Sequence, residues 1–299
     1  MCEQLSAVLA PEQILRGALL ADYTTFRIGG PADVLVLPHT IEELSKVLAL
    51  LAEEEATVTI LGGGSNVLVL DGGIRGVLVV LRDMKEQLGI TDTGIIASAG
   101  FSMKETSEFA ATHELTGLEF AVGIPGTLAG AIFMNAGAYG GEMSGIVSLV
   151  RSVDLTGKIH ERRGEDCEFA YRHSIFQENQ EVIAEIGFSL SAGNKEEILA
   201  IMADLTHKRE SKQPLEWPSA GSTFKRPPGY FAGTLIEETG LKGFSVGDAE
   251  VSTKHAGFVI NKGSASAKDV LDLIHEVQEK IQEAHGVTLE REVRLMGEE

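Results

Sequence analysis

The run Gly62-Gly63-Gly64-Ser65-Asn66 has the residue types of a phosphate-binding loop. Glycine lets the backbone approach an anion closely, and successive N–H groups in such a loop form a concave nest for anionic oxygens. Ser65 and Asn66 add side-chain donors. The structural alternative is a tight connection between two strands, but three consecutive glycines exceed what such a turn requires. The loop therefore favours phosphate binding.

The spacing of this loop differs from that of a Rossmann nucleotide site. The Rossmann fingerprint has glycines at positions one, three and six, after a strand and before a helix. Here the sixth position is Val67, and the apolar run 67–70 predicts a strand. No helix N-terminus is then available to receive the phosphate. The sequence predicts a dinucleotide held in loops between strands.

A second glycine-dense segment lies at 117–145. Within it, the small apolar stretch 127–135 predicts a buried helix, and Asn135 with the glycines after it predicts another backbone-lined wall. A buried helix flanked by turns would be a purely structural alternative. Two glycine-rich segments in one chain, each joined to apolar elements, favour a large planar cofactor with a diphosphate tail.

The amino-acid composition of the chain excludes several classes of binding partner. The chain has 299 residues and a formal net charge of −19, so its surface repels phosphate backbones and we expect no nucleic-acid partner. Two cysteines with no CxxC or Cys/His cluster predict no disulfide framework and no metal site. The N-terminus lacks a signal-peptide pattern, and no apolar run reaches about 18 residues. We expect a cytoplasmic protein without a membrane partner, as a monomer or weak oligomer.

The elements that must position the glycine-rich loops follow from periodicity and capping signals. A leading helical segment is predicted over 1–22. Further predicted helices begin at Thr40, run from Ser102 to about His113, cover 195–211, and run from Ser266 to Gly286. The predicted strands are 32–37, 58–61, 67–70, 77–81, 147–155, 158–162, 182–190 and 287–295. Residues 213–262 are predicted to be rich in loops.

The glycine-rich runs 60–69 and 123–140 resemble the FAD-binding domain of the UDP-N-acetylenolpyruvoylglucosamine reductase family. Three further runs match that family in order, namely Tyr-Arg-His-Ser at 171–174, Ser-Ala-Gly-Ser-Thr-Phe-Lys at 219–225 and Leu-Glu-Arg-Glu-Val-Arg at 289–294. The resemblance covers roughly 20–296, and five ordered motifs are highly specific. The chain resembles the shorter subtype, which lacks an extra substrate-capping loop.

The resemblance implies an α+β fold. It has a two-subdomain FAD-binding region of the vanillyl-alcohol-oxidase-like type and a C-terminal α+β substrate-binding domain. The expected FAD-binding domain is 1–192, split near 83–95, and the expected substrate-binding domain is 193–299. The implied activity uses non-covalent FAD and NADPH to reduce UDP-N-acetylglucosamine enolpyruvate to UDP-N-acetylmuramate, in peptidoglycan precursor synthesis.

The resemblance also implies roles for single residues. Arg172 would bind the substrate carboxylate as negative charge develops on it, Ser222 would donate the proton, and Glu292 would be their acidic partner. Glu290 is the rival to Glu292, because it lies on the same face if this segment is a strand. Lys225 and Arg226 would bind substrate. The implied FAD-binding residues are Gly62, Gly63, Gly64, Ser65, Asn66, Gly123, Ile124, Pro125, Gly126, Thr127, Gly130, Asn135, Gly137 and Arg294.

Two departures from the family pattern concern substrate contacts. Arg226 stands where the family usually has asparagine, and Gly257 also replaces an asparagine. Two alternatives remain open from the sequence: another flavin-dependent oxidoreductase of the same fold, and a non-catalytic nucleotide-binding module. By residue type alone, Arg172 is more simply a surface arginine at a strand-to-loop junction, and Glu290, Glu292 and Arg294 are a solvated face of an edge strand.

Overall fold

A computed structural model describes residues 2–299 of the chain. The α-helices in this range are α1 (Cys2–Leu5), α2 (Ile41–Glu53), α3 (Met103–Thr112), α4 (Leu128–Phe133), α5 (Lys195–Lys212), α6 (Ala232–Glu238) and α7 (Ala267–His285). The strands up to residue 142 are β1 (Ile14–Arg16), β2 (Ala32–Val36), β3 (Val58–Leu61), β4 (Val67–Val69), β5 (Ile74–Val80), β6 (Leu88–Thr91), β7 (Gly94–Ser98), β8 (Leu115–Thr116), β9 (Gly137–Ala138) and β10 (Gly141–Glu142). The later strands are β11 (Val147–Val153), β12 (Ile159–Arg163), β13 (Val182–Ser189), β14 (Ser191–Ala192), β15 (Ser219–Ser222), β16 (Ser245–Val246), β17 (Ala249–Val251), β18 (Phe258–Asn261) and β19 (Arg294–Met296).

The predicted helix starts are confirmed, together with the reason for them. The Thr40 hydroxyl accepts a hydrogen bond from the Glu43 N–H at 3.1 Å and begins α2. Ser102 and Ser266 each form a reciprocal capping box with the acidic residue three positions later, at the starts of α3 and α7. Gly286 ends α7 with a φ of 68°, a left-handed conformation that glycine adopts without steric cost.

The chain forms two compact units. The first unit comprises the residues up to Arg16, together with Val34–Gly63 and Gly76–Arg209; the second comprises Gly17–Asp33, Gly64–Arg75 and Glu210–Glu299. Each unit is therefore assembled from separate stretches of sequence. The division of the chain into FAD binding over 1–192 and substrate binding over 193–299 concerns function and stays a prediction.

The first unit contains two larger sheets. In the sheet ordered β1-β2-β5-β3, β3 and β5 run parallel with Val58 opposite Val77. The antiparallel sheet β12-β11-β13-β7-β6 includes the predicted strands at 147–155 and 158–162, which form a hairpin with Val153 opposite Ile159. Both the buried stripe of α2 and the predicted buried helix, seen as α4, belong to one hydrophobic core.

The second unit is built on the antiparallel sheet β15-β18-β17-β16 and on the buried faces of α6 and α7. The predicted strand after the first glycine-rich loop, β4, pairs in parallel with β19, with Val67 opposite Arg294. The stretch predicted to be rich in loops therefore holds four strands and a helix.

The predicted helix over 1–22 is wrong beyond Leu5, while Met1 lies outside the described residues. Short 3-10 helices at Pro11–Gln13 and Leu20–Tyr23 flank β1. In β1, Ile14 lies opposite Val36 of β2, and the side-chain amide of Gln13 donates to the carbonyl oxygen of Leu37 at 2.8 Å. These backbone partners are distant in sequence, so helical propensity does not decide the conformation here.

The predicted closing strand over 287–295 is also wrong for most of its length, because regular pairing begins only at β19. Before β19, the chain pairs with a different segment. Arg291 forms an isolated bridge with Phe224, the Lys225 N–H donates to the Glu290 carbonyl oxygen, and the Glu292 N–H donates to the Thr223 carbonyl oxygen, both at 2.8 Å. This change of pairing partner within a few residues prevents one continuous strand.

Candidate functional site

The two glycine-rich segments meet in the first unit. A Cβ atom built on Gly63 would lie 2.8 Å from the Gly126 Cα and from the Thr127 N. A Cβ on Gly62 would lie 3.0 Å from the Thr127 Oγ1 and 3.4 Å from the Gly130 N. Only glycine permits this approach of two backbones. The structure thus brings together residues that are more than 60 positions apart and that the sequence assigned to one ligand.

The connection after the first loop has the predicted form. β3 leads into Gly62, and β4 follows Asn66, so a strand stands where a Rossmann site has its helix. Gly64 has a φ of 62°, which turns the chain between these strands.

The second glycine-rich loop is held by main-chain hydrogen bonds. The Leu128 N–H donates to the Phe101 carbonyl oxygen at 2.8 Å, and the Ala129 N–H donates to the Ala99 carbonyl oxygen at 3.0 Å. The Met103 N–H also donates to the Gly126 carbonyl oxygen, at 3.4 Å. The loop and the start of α4 therefore have a fixed backbone.

The Thr127 hydroxyl shows that this junction fits an anionic ligand. Thr127 precedes α4 and is 6% exposed, and its Oγ1 is buried without a hydrogen-bond partner among the described residues. Leaving such a group unsatisfied costs about 1–3 kcal/mol. The hydroxyl lies where the two glycine-rich loops touch, so a ligand oxygen placed there would satisfy it. These residues fit the diphosphate of a dinucleotide.

Arg172 lies in a tight turn of the first unit. Ala170 and His173 exchange two backbone hydrogen bonds of 3.1 Å, which places Tyr171 and Arg172 at the tip. Arg172 has a φ of 57°, which costs a non-glycine residue about 1–2 kcal/mol. Its guanidinium carbon lies 5.3 Å from the ring centroid of Tyr171. Strained residues of this kind persist where the surroundings determine them, and they cluster at functional sites.

Asn135 is fixed by its own side chain. It is 2% exposed and has a φ of 42°. Its Nδ2 donates to the Ala170 carbonyl oxygen at 3.1 Å, and its Oδ1 accepts from the Ser144 N–H at 2.9 Å. The side chain thus anchors the base of the Arg172 turn. A contact between Asn135 and the cofactor remains a prediction.

Ser222 and Glu292 come together in the second unit through main-chain pairing. Ser222, at the end of β15, lies opposite Phe258, and the Thr223 N–H donates to the Gly257 carbonyl oxygen at 2.8 Å. On its other side, Thr223 accepts a hydrogen bond from the Glu292 N–H. Lys225 pairs with Glu290 in the same way, so Ser222, Lys225 and Glu292 lie on adjoining segments.

The segment that carries Glu292 is anchored by apolar side chains. Leu289 and Val293 are 1% and 3% exposed and belong to the core of the second unit. Asn66 of the first glycine-rich loop donates weakly to the Glu292 carbonyl oxygen at 3.4 Å and accepts from the Arg294 N–H at 3.0 Å. Residues from two separate motifs, Asn66 from the first and Glu292 and Arg294 from the last, are therefore neighbours.

Glu290 has a different environment from Glu292. Its carboxylate lies 3.2 Å from the Lys225 ammonium, and both side chains are exposed. An exposed pair of this kind contributes little to stability. Glu292 is half-buried by comparison, and the choice of Glu292 as the functional carboxylate stays a prediction.

Comparison with known proteins decides the family. The model of an FAD binding domain matches residues 32–162, and that of the UDP-N-acetylenolpyruvoylglucosamine reductase C-terminal domain matches 213–296. A UDP-N-acetylenolpyruvoylglucosamine reductase of Clostridioides difficile is 49% identical over 98% of this chain and 96% of its own length. That of Geobacillus thermodenitrificans is 48% identical over 99% of this chain and 97% of its own. The chain belongs to the UDP-N-acetylenolpyruvoylglucosamine reductase family.

Solved structures support the same assignment. The reductase of Thermus caldophilus superposes with a TM-score of 0.81 at 38% identity, over 94% of this chain and 98% of that one. A glucose dehydrogenase, Phl p 4.0202, shares only the fold, with a TM-score of 0.50 at 12% identity over 65% of this chain and 44% of its own. The fold is the predicted α+β type, with a vanillyl-alcohol-oxidase-like FAD-binding region and a C-terminal α+β domain. FAD is the cofactor of this reductase family, and the junction around Thr127 fits it.

The structure adds Arg209 as a residue that the sequence gave no reason to select. It lies in α5 against the second glycine-rich loop, since a Cβ on Gly123 would be 2.8 Å from the Arg209 Cδ. Its Nε is buried without a hydrogen-bond partner among residues 2–299, and burial lowers its pKa while Tyr139 opposes that shift. A buried guanidinium nitrogen without a partner is costly, so it indicates an anionic ligand. In the sequence, Arg209 is one charged residue among many in a polar helix.

Arg226, the departure from the family pattern, stacks on an exposed aromatic ring. Its guanidinium carbon lies 4.0 Å from the ring centroid of Phe231, which is 59% exposed. The contact is a cation–π interaction, which restricts the guanidinium to the face of the ring. The role of Arg226 in substrate binding stays a prediction.

Within the described range, no group of three or more His, Cys, Asp or Glu side chains is arranged to hold a metal ion. Nor is any helix between residues 2 and 299 long and apolar enough to cross a membrane.

Proposed function

We propose that this chain catalyses the NADPH-dependent reduction of UDP-N-acetylglucosamine enolpyruvate to UDP-N-acetylmuramate with FAD as its cofactor, in the cytoplasm, for peptidoglycan precursor synthesis. The observation that carries the proposal is the reductase-type C-terminal domain at 213–296, in which Ser222 and Glu292 lie on backbone-paired segments. A nucleotide-binding module without catalysis would have no use for this arrangement.

The chain's own groups would hold the cofactor through its diphosphate. Gly62 and Gly63 meet the second loop at the junction, where backbone N–H groups of the two loops would bind the diphosphate, and the Thr127 hydroxyl supplies a buried donor. Arg209 adds a positive charge beside Gly123. The remaining proposed FAD contacts are those of Gly64, Ser65, Asn66, Ile124, Pro125, Gly126, Gly130, Asn135, Gly137 and Arg294. The chemistry that FAD supplies when bound is transfer of a hydride from NADPH to the terminal vinyl carbon.

Arg172, Ser222 and Glu292 would complete the reduction. Hydride addition leaves negative charge on the substrate carboxylate, which a guanidinium stabilises by two parallel hydrogen bonds, the role of Arg172. Ser222 Oγ donates its proton to the adjacent carbon and regains one from solvent. A serine hydroxyl is a weak acid, so a nearby donor must stabilise its alkoxide; Lys225 is three residues away. Glu292 is the acidic partner. Arg226 contacts the substrate, and Lys225 either stabilises the Ser222 alkoxide or binds the substrate diphosphate.

The test separates the two half-reactions of the purified protein under anaerobic conditions. NADPH should bleach the flavin absorption, and UDP-N-acetylglucosamine enolpyruvate should then restore it. Bleaching without restoration would reject this substrate and leave another flavin-dependent oxidoreductase. A colourless protein that takes up no added FAD would reject both enzymes.

Ser222→Ala tests the proton donor. Flavin reduction by NADPH should stay within about 2-fold of wild type, while reoxidation by substrate should slow by roughly 10²–10⁴-fold. Ser219→Ala is the matched control, because this serine lies in the same strand. Equal slowing of both half-reactions in Ser222→Ala would contradict the role.

A further inference from the structure

Gln177 joins two functional segments of the first unit through one side-chain amide. It ends a short 3-10 helix, Ile175–Gln177. Its Nε2 donates to the carbonyl oxygen of Arg172 at 2.9 Å and to that of Phe133 at 2.8 Å. An amide NH2 group has two hydrogens, so both bonds can form together.

The bond to Arg172 acts on the strained residue itself. Because Arg172 has a positive φ, its ordinary alternatives lie at negative φ, in the α or β region. The peptide group that follows it is held at both ends: the His173 N–H donates to Ala170, and Gln177 donates to the Arg172 carbonyl oxygen. Removing the Gln177 donor releases one end of that peptide and widens the range of directions open to the Arg172 side chain.

The bond to Phe133 connects this turn to the cofactor loop. Phe133 is the last residue of α4, and α4 begins directly after Thr127, where the two glycine-rich loops touch. A six-residue helix spans about 9 Å and is stiff over that length. Gln177 therefore ties the backbone of Arg172 to an element whose other end lies at the proposed diphosphate position.

Ser174 provides an internal comparison. Its hydroxyl donates to the same Phe133 carbonyl oxygen at 2.9 Å, and no described bond joins its side chain to Arg172. If the end of α4 only needed a hydrogen-bond donor, Ser174 and Gln177 would be equivalent. Only Gln177 reaches the Arg172 carbonyl oxygen as well.

We infer that Gln177 is a positioning residue that holds Arg172 at a set place relative to α4 and the cofactor loop. The inference rests on the proposed role of Arg172 in binding the substrate carboxylate. Misplacing a charge-stabilising group by about 1 Å lowers a rate by roughly 10²-fold. Gln177 should therefore matter for the half-reaction that uses Arg172 and not for the one that does not.

The experiment compares Gln177→Met, which keeps the side-chain length but has no donor, with Ser174→Ala. In Gln177→Met, substrate-driven reoxidation of the flavin should slow by roughly 10–100-fold, with NADPH-driven reduction within about 2-fold of wild type. Ser174→Ala should leave both rates within about 2-fold. Equal slowing in the two variants, or unchanged reoxidation in Gln177→Met, would overturn the inference.

Arg172→Ala separates this inference from the proposed function. In the Arg172→Ala background, adding Gln177→Met should slow reoxidation no further, because the residue to be positioned is gone. Unaffected reoxidation in Arg172→Ala alone would instead reject the role of Arg172. If Gln177→Met loses its flavin, Gln177→Asn, which is one methylene too short to keep both bonds, should show the same selective slowing; a wild-type reoxidation rate there would refute the positioning role.

Discussion

Two segments that carry proposed catalytic residues are held in different ways. In the first unit, two backbone bonds between Ala170 and His173 close the Arg172 turn, and side-chain amides fix it further, with Gln177 bonded to Arg172 and Asn135 bonded to Ala170. In the second unit, Ser222–Lys225 lies between β18 and the 290–292 segment and is held mainly by backbone-to-backbone bonds.

The difference determines how each segment responds to substitution. Main-chain pairing forms with almost any residue, so the Ser222 segment should depend on the apolar anchors beneath it. A turn held by individual amides and by positive φ angles should depend on particular side chains. Substitutions in each segment test that contrast.

Arg172→Ala and Arg172→Gly test the strained turn. Both remove the guanidinium, so substrate-driven reoxidation should slow by roughly 10²–10³-fold in each. Glycine accepts the φ of 57° without strain, so Arg172→Gly should be more stable than Arg172→Ala by about 1 kcal/mol. Stopped-flow absorbance and urea denaturation measure the two effects. If alanine is as stable as glycine, the turn is not strained.

Leu289→Ala tests the anchored segment. The side chain is 1% exposed, so its truncation should lower the free energy of unfolding by about 2–5 kcal/mol. Glu290→Ala is the neighbouring control, where the change should stay within about 0.5 kcal/mol because the side chain is exposed. Urea denaturation followed by circular dichroism distinguishes them. If Leu289→Ala and Glu290→Ala lower the free energy of unfolding equally, surface contacts stabilise this segment as much as its buried side chains do.

Gly63→Ala tests the contact between the two glycine-rich loops. The new Cβ would lie 2.8 Å from backbone atoms that cannot move aside easily, at a cost of about 1–3 kcal/mol. The purified variant should hold less FAD, measured as the ratio of flavin to protein absorbance. Gly89→Ala is the control, because a Cβ there meets no heavy atom within 4 Å. Full FAD occupancy in Gly63→Ala would mean that the loops need not touch.

In the second unit, the His255 side chain is bonded to the backbone that pairs with the Ser222 segment. Its Nδ1 accepts from the Gly257 N–H at 3.1 Å, and Gly257 in turn accepts from Thr223. Burial lowers the pKa of His255, with a smaller contribution from Lys242, so the folded protein prefers the neutral ring. The contribution of neutral His255 to the free energy of unfolding is present above the ordinary histidine pKa of about 6.5. It is lost as the pH falls towards the lower pKa that His255 has in the folded protein.

The decrease in melting temperature from pH 7.5 to pH 5.5 should therefore be larger in the wild type than in His255→Asn. The expected difference is small, about 1–2 °C. If the melting temperatures of both proteins fall equally on acidification, the neutral His255 ring does not stabilise this segment.

Several features were predictable because they depend on neighbouring residues alone. The capped helices α2, α3 and α7 begin at the predicted residues, since each cap is a bond across three positions. The strand after Asn66 was also predictable, and with it the exclusion of a Rossmann site. The N-terminal segment and most of 287–295 were predicted wrongly because each pairs with a segment far away in the chain.

The sequence by itself determined the family, the kind of cofactor and the local elements, because motif identity, glycine content and capping are properties of short stretches. Only the tertiary structure decided which atoms touch: the backbone of Gly63 against that of Gly126, the Gln177 amide against the Phe133 carbonyl oxygen, and the Glu292 N–H against the Thr223 carbonyl oxygen. It also decided that Arg209 has a buried Nε beside Gly123. These contacts join residues that are distant in sequence, so they follow from packing and strand pairing, which no local pattern specifies.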